Sequence, residues 1–442
     1  MRKTLIFYLL FIIGGTNSVL AHEPILQLLD IQNGLSQNHI NTIFRDASDH
    51  LWIGSNIGLN RFNGTSVFNY FQQTDDSTSL NDNYILRITE DSYKYLWIHT
   101  KKGYNVYDKE SDSFIRDIAS ILQKRNIKLS NIRFIESADR FCTYLNRDTL
   151  CIEQQGDDNI AYYTAPDGKF HRSIIDETGK CMVIDQFLNI YSVDSDRRRL
   201  IQVYKSSLKK SIKAVHAIVP FQNQLFILIE DKSNDLVIFD LEKGTLSHWT
   251  DTIRLPEKGR VPHITCLTKD EKDQLWIGTD NDGVFVIDGS FSCKEHIVTT
   301  DKPYALASNS IRSLLCEPNG TVWIGTYKSG LNYLHPVINE VRCNTISENK
   351  LANDINCMVQ DGSGKIYFGT NGKGLFRSDS LYGNYEPVKL LPDSNLVVVS
   401  LLVDSKDRVW VGTYKKGLFR INRNGTYTHF EADKGSAGLT DN

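Results

Sequence analysis

Eleven histidines, 53 acidic side chains and eight cysteines could build a catalytic or metal centre, so their spacing decides. The histidines make no His-Glu-x-x-His pattern, which would bring two imidazoles to zinc from one helix face. No Gly-x-Ser-x-Gly elbow presents a nucleophilic serine. Cys142, Cys151, Cys181, Cys266, Cys293, Cys316, Cys343 and Cys357 match no zinc spacing. Asp280-Asn281-Asp282-Gly283 opens like a calcium loop but lacks the later ligands and the distal Glu, and reads as a polar hairpin tip. Asp361-Gly362-Ser363-Gly364-Lys365 imitates part of a phosphate loop without its full spacing or following helix. It reads as a turn, equivalent to Asp404-Ser405-Lys406-Asp407. Nothing in the spacing singles out a pair of glycosidase carboxylates. The expectation is no catalytic residue, no metal and no cofactor. What remains is recognition by polar and aromatic side chains: Asn38, His39, Tyr84, Lys101, Lys102, His263, Asp280, Asp282, Asn309, Tyr327 and Lys328.

Those residues stand at fixed places in a repeat. Leu51-Trp52-Ile53-Gly54-Ser55 returns as Leu96-Trp97-Ile98-His99-Thr100, Leu275-Trp276-Ile277-Gly278-Thr279, Val322-Trp323-Ile324-Gly325-Thr326, Ile366-Tyr367-Phe368-Gly369-Thr370 and Val409-Trp410-Val411-Gly412-Thr413. Neighbouring copies lie 43 to 47 residues apart. Such a period, carried by short strands, is the signature of a β-propeller. Faded copies centred near residues 144, 190 and 226 fill the gap and bring the number of units to nine. Each unit reads as four antiparallel strands, A (innermost) to D (outermost), with the aromatic in strand B. Recurrence at one strand position marks these aromatics as core packing rather than sugar platforms. The fold class is therefore all-β: a seven-bladed propeller of four-stranded antiparallel blades, then the first blades of a second, incomplete propeller.

In such a blade the D–A connections and the B–C tips share one face, and ligands favour that face. Asn38, His39, Tyr84, His263 and Asn309 come from D–A connections. Lys101, Lys102, Asp280, Asp282, Tyr327 and Lys328 come from B–C tips. The rings of Tyr84 and Tyr327 could stack on sugar CH faces, and Lys101 and Lys102 would meet an acidic glycan.

Arg2 and Lys3, the apolar run Leu5 to Ile13 and the small residue Ala21 describe a secretory signal cleaved after Ala21. The boundaries expected are 1–21 signal peptide, 22–338 seven-bladed propeller and 339–442 partial second propeller. The segment Ile25 to Leu29 precedes any A strand and is expected to close the ring as a D strand of the last blade. Phe114 to Leu122 has a helical period, with Ser111 or Ser113 as a cap. A two-residue turn at Asn146-Arg147 would set Cys142 opposite Cys151, leaving either a cross-strand disulfide or, more in keeping with a core of this size, two buried thiols. The chain stops at Gly438-Leu439-Thr440-Asp441-Asn442, the opening phrase of a further repeat, and is expected to be a piece of a longer one.

Across its 442 residues the chain is 40% hydrophobic and 23% charged with a formal net charge of -3, which excludes a disordered chain and argues against a nucleic-acid binder. The phrase Gly34-Leu35-Ser36-Gln37-Asn38-His39-Ile40, then Leu-Trp-Ile-Gly-Thr, then Gly-Leu resembles the two-component regulator propeller repeat. The resemblance spans nearly all of the chain after the signal, though residues 125 to 250 depart from the pattern. It implies the periplasmic sensor region of a hybrid two-component histidine kinase, with two propellers, an immunoglobulin-like domain, a membrane helix and kinase parts in the intact protein. It further implies an oligosaccharide ligand and a homodimer. Two other classes fit the same fold: a secreted lyase or hydrolase acting on glycans, and a protein-interaction scaffold.

Overall fold

The computed structural model describes residues 24–157, 160–166, 168–176, 179–232, 234–256, 261–302, 304–336, 346, 354–379, 384–391, 396–432, 439 and 441. The expected signal peptide, Cys343 and most of 337–353 lie outside the described residues. The chain divides into two compact units, Met1–Glu340 and Val341–Asn442. Among the described residues, the strands form nine four-stranded sheets.

Seven sheets belong to the first unit. Blade 1 is Ile40–Arg45, Leu51–Ser55, Leu59–Phe62 and Val67–Tyr70; blade 2 is Ile85–Glu90, Leu96–Thr100, Gly103–Asp108 and Ser113–Ile115. Blade 3 is Phe134–Ala138, Phe141–Leu145, Thr149–Gln154 and Ala161–Thr164; blade 4 is Phe170–Ile175, Cys181–Asp185, Ile190–Asp194 and Arg199–Tyr204. Blade 5 is Ala214–Phe221, Gln224–Glu230, Asn234–Asp240 and Thr245–His248; blade 6 is His263–Lys269, Leu275–Asp280, Val284–Ile287 and Cys293–Ile297. Blade 7 takes Ile311–Cys316, Val322–Thr326 and Leu331–Leu334 from its own stretch of chain. Its fourth strand is Leu26–Leu29, paired antiparallel with Leu334 to Leu331. Each A strand contacts the A strand of the next blade, and the A strand of blade 7 contacts that of blade 1. The ring is closed, and its last blade is completed by the start of the chain.

The sequence explains why sheets stack this way. Strand B is buried along its whole length in blades 1 and 7, so each face needs a neighbouring sheet. The glycine of the Trp-Ile-Gly motif is where the next blade comes closest. A Cβ on Gly54 would stand 2.6 Å from Thr42 Cγ2 and 2.6 Å from Ile85 Cγ2, the latter in blade 2. A second device lies in the A–B turn. Asp46 Oδ1 accepts from the backbone N–H groups of Ser48 and His50, while Oδ2 accepts from Trp52 Nε1 at 2.9 Å. The same six-residue step joins Asp91 to Trp97, Asp270 to Trp276, Glu317 to Trp323 and Asp404 to Trp410. A buried indole N–H thus finds its acceptor in the turn that shapes the hairpin.

Three details differ from the sequence reading. In blade 4, strand B is Cys181–Asp185, and Tyr191 lies on strand C. The cause is visible: Asp185 caps a turn through the N–H groups of Phe187 and Asn189 and accepts from the Tyr191 hydroxyl. It repeats the A–B turn device one hairpin later. In blade 3 the two-residue turn is Arg147-Asp148, held by Asn146, whose side chain accepts from the N–H groups of Asp148 and Thr149. Cys142 therefore faces Glu153, Cys151 faces Tyr144, and both cysteines are buried free thiols. The helical period begins later than expected: Ser113–Ile115 is strand D of blade 2, and the helix is Ile118–Lys124. Its cap is Asp117, whose side chain accepts from Ser120 N, while the hydroxyls of Ser111 and Ser113 bond each other.

The second unit contains two sheets: Ile355–Gln360, Ile366–Thr370, Leu375–Ser378 and Glu386–Val388, then Val398–Val403, Val409–Thr413, Leu418–Ile421 and Tyr427–Phe430. The Asp361 and Asp404 segments are A–B turns, each closed by the Asp side chain on the N–H groups two and four residues ahead. Among the described residues, no helix is long and apolar enough to cross a membrane.

Candidate ligand-binding site

The B–C tips and the D–A connections share a face in the seven-bladed unit, and in blades 1, 6 and 7 the tip bonds the next connection. Gly58 N–H donates to Asn83 O, Gly283 N–H to Asn309 O and Gly330 N–H to Asn38 O, at 2.8 to 2.9 Å. These links consume some of the expected ligand groups. Asn38 spends its side-chain oxygen on Ile31 N–H and Asn309 spends its own on Thr299 N–H. Both are parts of the ring first.

The other expected residues, Asp282 excepted, form an arc across blades 6, 7, 1 and 2. In blade 6, His263 pairs in register with Asp280, and Asp280 accepts from the Ser310 hydroxyl of blade 7. Tyr327 of blade 7 meets the edge of His39 of blade 1 with ring centroids 4.5 Å apart. The cations of Arg312 and Lys328 lie 4.8 and 5.0 Å from the Tyr327 ring centroid. His39 bonds Asn56, which accepts from Asn41, and Asn41 also donates to the carbonyl of Ile85 in blade 2. There Lys101 Nζ sits 3.6 Å from the Tyr84 ring centroid. Lys102 reaches Asp82 at 3.8 Å. Asp282 stands apart from the arc, its carbonyl accepting from His296. Burial first, then the charges of Arg312 and Lys328, lower the pKa of His39. At neutral pH it is an uncharged ring that can accept as well as donate.

This arrangement changes the roles expected for the tyrosines. The ammonium of Lys101 already occupies a face of Tyr84, and Tyr327 is ringed by His39, Arg312 and Lys328. The rim presents cation-covered aromatic rings and amides rather than bare stacking platforms. Asn41, Asn56, Ser310 and Arg312 were missed in the sequence. All four follow or precede the repeat phrases by a fixed step, so a residue-by-residue overlay of the repeats would have brought them forward.

The second concave feature is the channel enclosed by the A strands, a cavity of about 950 Å³. Its wall carries Arg87 of blade 2 and Arg172 of blade 4, and both guanidiniums lie over the ring of Phe134, 4.3 and 4.4 Å from its centroid. Glu136 accepts from Arg87 at 3.0 Å and lies 3.8 Å from Arg172, which also donates to the carbonyl of His216. Burial, then the neighbouring Arg87, pulls the pKa of Arg172 down to about 9 against the support of Glu136. The repeat departs from its pattern here. His99 replaces the strand-B glycine and stacks flat on Tyr104, with ring centroids 4.3 Å apart. Arg87 stands opposite it in register.

His99 makes a pH prediction. Burial, then Arg87 and Arg133, lowers its pKa from 6.5 to about 4. Between those values the unfolded chain binds a proton that the folded chain refuses. Stability is therefore full above the unfolded value and falls as pH drops from about 6.5 toward 4, by about 3 kcal/mol at most. Urea unfolding at a series of pH values should show this slope, and His99→Gln should flatten it. An unchanged slope in that variant would remove His99 as its source.

A family model described as two component regulator propeller matches residues 34–56, 79–102, 305–328, 349–372 and 392–415. These windows fall on the A and B strands of blades 1, 2 and 7 and of both sheets in the second unit. Histidine kinase P4 of Formosa agariphila is 27% identical over 158 residues, 32% of this chain and 11% of that protein. Among solved structures, the fold is similar to an extracellular domain described as that of a hybrid two component system, BT3049, from B. thetaiotaomicron. That likeness has 20% identity, covers 93% of this chain and 55% of that one, and has a TM-score of 0.56. It is also similar to the extracellular domain of BT4673 from the same organism, at 16% identity over 92% of this chain and 54% of that one, with a TM-score of 0.52. The chain thus spans about half the length of these solved structures and a smaller share of the curated relative.

Proposed function

We propose that this chain, five segments of which match the two component regulator propeller model, is the ligand-sensing region of a hybrid two-component sensor histidine kinase, held in the periplasm, and that its ligand is an oligosaccharide. The observation that carries this reading is the arc on the tip face. Four successive blades bring amides, two cation-bearing tyrosines and an uncharged imidazole to one rim, each tied to its neighbour across a blade boundary. Polar groups fixed in position suit hydroxyl recognition, because little side-chain freedom is lost on binding. The rim binds and makes or breaks no bond. In the intact protein, binding would favour one arrangement of a dimer and so bias the kinase across the membrane.

A thermal-shift screen against neutral and acidic oligosaccharides, with chromatography of each sugar after incubation, tests this reading. The expected result is a rise in melting temperature with one saccharide class and recovery of that sugar intact. Cleaved product would favour the glycan-cleaving alternative. A folded chain that responds to no saccharide would favour the scaffold.

A further inference from the structure

The channel of the seven-bladed unit has a charge problem that the ring itself does not solve. Three guanidiniums, those of Arg87, Arg133 and Arg172, line it. The other charges on its wall are committed elsewhere: Glu90 to Lys109, Asp91 to Arg125, Lys213 to Glu230. Asp139 and Lys94 stand exposed at A–B turns. Among the described residues Glu136 alone remains beside Arg87 and Arg172, one carboxylate for two sheltered guanidiniums, and the exposed Arg133 adds a third positive charge to the wall.

A second observation points to an occupant of the same cavity. His171 also lines the cavity, and its buried Nε2 has no hydrogen-bond partner among the described residues while the ring bonds the backbone of Ile212. With its other nitrogen donating to Ile212, this Nε2 is an acceptor; a buried acceptor left without a partner is costly and suits a donor such as the hydroxyl of a sugar that carries the anionic group. Phe134 lies against both guanidiniums, 4.3 and 4.4 Å from its ring centroid, and so holds the two cations side by side on the wall.

The positions are specific to these blades. The residue after the bulge that opens strand A is Thr42 in blade 1, Ala217 in blade 5, Cys266 in blade 6 and Ser313 in blade 7. In blades 2 and 4 it is Arg87 and Arg172. A small residue suffices for packing, so an arginine at this point needs another reason.

We propose that the channel is a binding site for an oxyanion group — carboxylate, sulfate or phosphate — held by Arg87, Arg133 and Arg172. Forked guanidiniums match the paired oxygens of such a group. The cavity is as large as a pocket for a small organic ligand, so the group can arrive on a sugar acid or sugar sulfate as well as free. This site does not depend on the rim arc, and either could bind without the other.

Calorimetric titration of the whole chain at fixed ionic strength tests it, with sodium sulfate, sodium phosphate, glucuronate and galactose 6-sulfate as probes and galactose as the neutral control. Saturable binding of at least one oxyanion is expected, and none of galactose in the channel. Binding of the inorganic ions marks a free-anion site; binding only of the sugar derivatives marks a saccharide-borne group. Arg133→Gln removes an exposed side chain with an intact backbone bond to Leu145, so it should keep the melting temperature while weakening the probe about tenfold. Arg172→Lys should weaken it further by losing the fork. Lys243→Gln, an exposed lysine in the C–D turn of blade 5, should leave oxyanion affinity unchanged. No saturable binding of any oxyanion, or equal affinity in wild type and Arg133→Gln and Arg172→Lys, overturns the proposal. A neutral oligosaccharide binding to a chain that ignores all four oxyanions would overturn it while leaving the sensor reading in place.

Discussion

Replacing Arg125 by Met should lower the unfolding free energy of the seven-bladed unit by about 3 to 5 kcal/mol. Arg125 follows the helix Ile118–Lys124 and enters the wall between blades 2 and 3 with only 10% of its side chain exposed. It meets Asp91 Oδ2 at 2.6 Å and bonds Glu153 through two nitrogens. Its guanidinium also lies 4.2 Å from the ring centroid of Tyr93. Both carboxylates are almost fully buried, at 0% and 3% side-chain exposure. Asp91 simultaneously accepts from Trp97 Nε1, and Glu153 from the hydroxyl of Tyr144. Methionine fills much of the space but leaves two carboxylates in the interior without a counter-charge. Adding Glu153→Gln to Arg125→Met should recover part of the loss, because one uncompensated charge is then gone. Chemical denaturation of the two variants checks both statements. Equal stability of Arg125→Met and wild type would show that the cluster is not a structural tie.

Removing residues 24–30 should cost at least as much, on the order of 5 kcal/mol or more from buried apolar surface alone. Ile25, Leu26 and Leu29 are 8%, 2% and 7% exposed, and Leu26–Leu29 pairs along the whole of Leu331–Leu334. Without it blade 7 would end on an unpaired strand C, a template for pairing with another chain. Loss of cooperative unfolding, or a shift to aggregates in size-exclusion chromatography, is expected. Leu26→Ala gives a milder measure, with about 2 to 5 kcal/mol expected for a buried leucine. A shortened chain as stable as the parent would mean that the ring does not need its closing strand.

The closing strand is legible in the amino-acid pattern, and the Arg125 cluster is not. The Trp-Ile-Gly repeat declares the B strands, and the lone segment Ile25 to Leu29 before the first A strand declares how the ring closes. The Asp-to-Trp step of six residues was equally readable, since the carboxylate and the indole recur together. That same step misleads in blade 4, where Asp185 and Tyr191 use it in the B–C turn. Turn chemistry is local and serves any hairpin, so only the strand pairing tells the hairpins apart.

The site was less legible for a different reason. The rim residues sit at repeat positions, so their place in the blade could be read, but not that Lys101 would cover Tyr84. The channel residues lie where the repeats depart from their pattern. Strand A also carries a bulge, between Ile85 and Arg87 in blade 2 and between Phe170 and Arg172 in blade 4. A bulge changes which side chain faces the channel, and the simple alternation of a strand no longer predicts it. Arg125 and Glu153 lie in the divergent stretch too, 28 residues apart, with no repeat to align them.

The central claim is that this ring recognises a saccharide and leaves it intact. Titration calorimetry of the whole chain with the oligosaccharide class that raises its melting temperature, followed by chromatography of the recovered sugar, tests that most directly. The account predicts saturable heat, weakened about tenfold by Tyr327→Ala together with Lys101→Gln, and a sugar recovered unchanged. Shortened or unsaturated products, or binding that ignores both rim substitutions and the loss of Arg133, would contradict it.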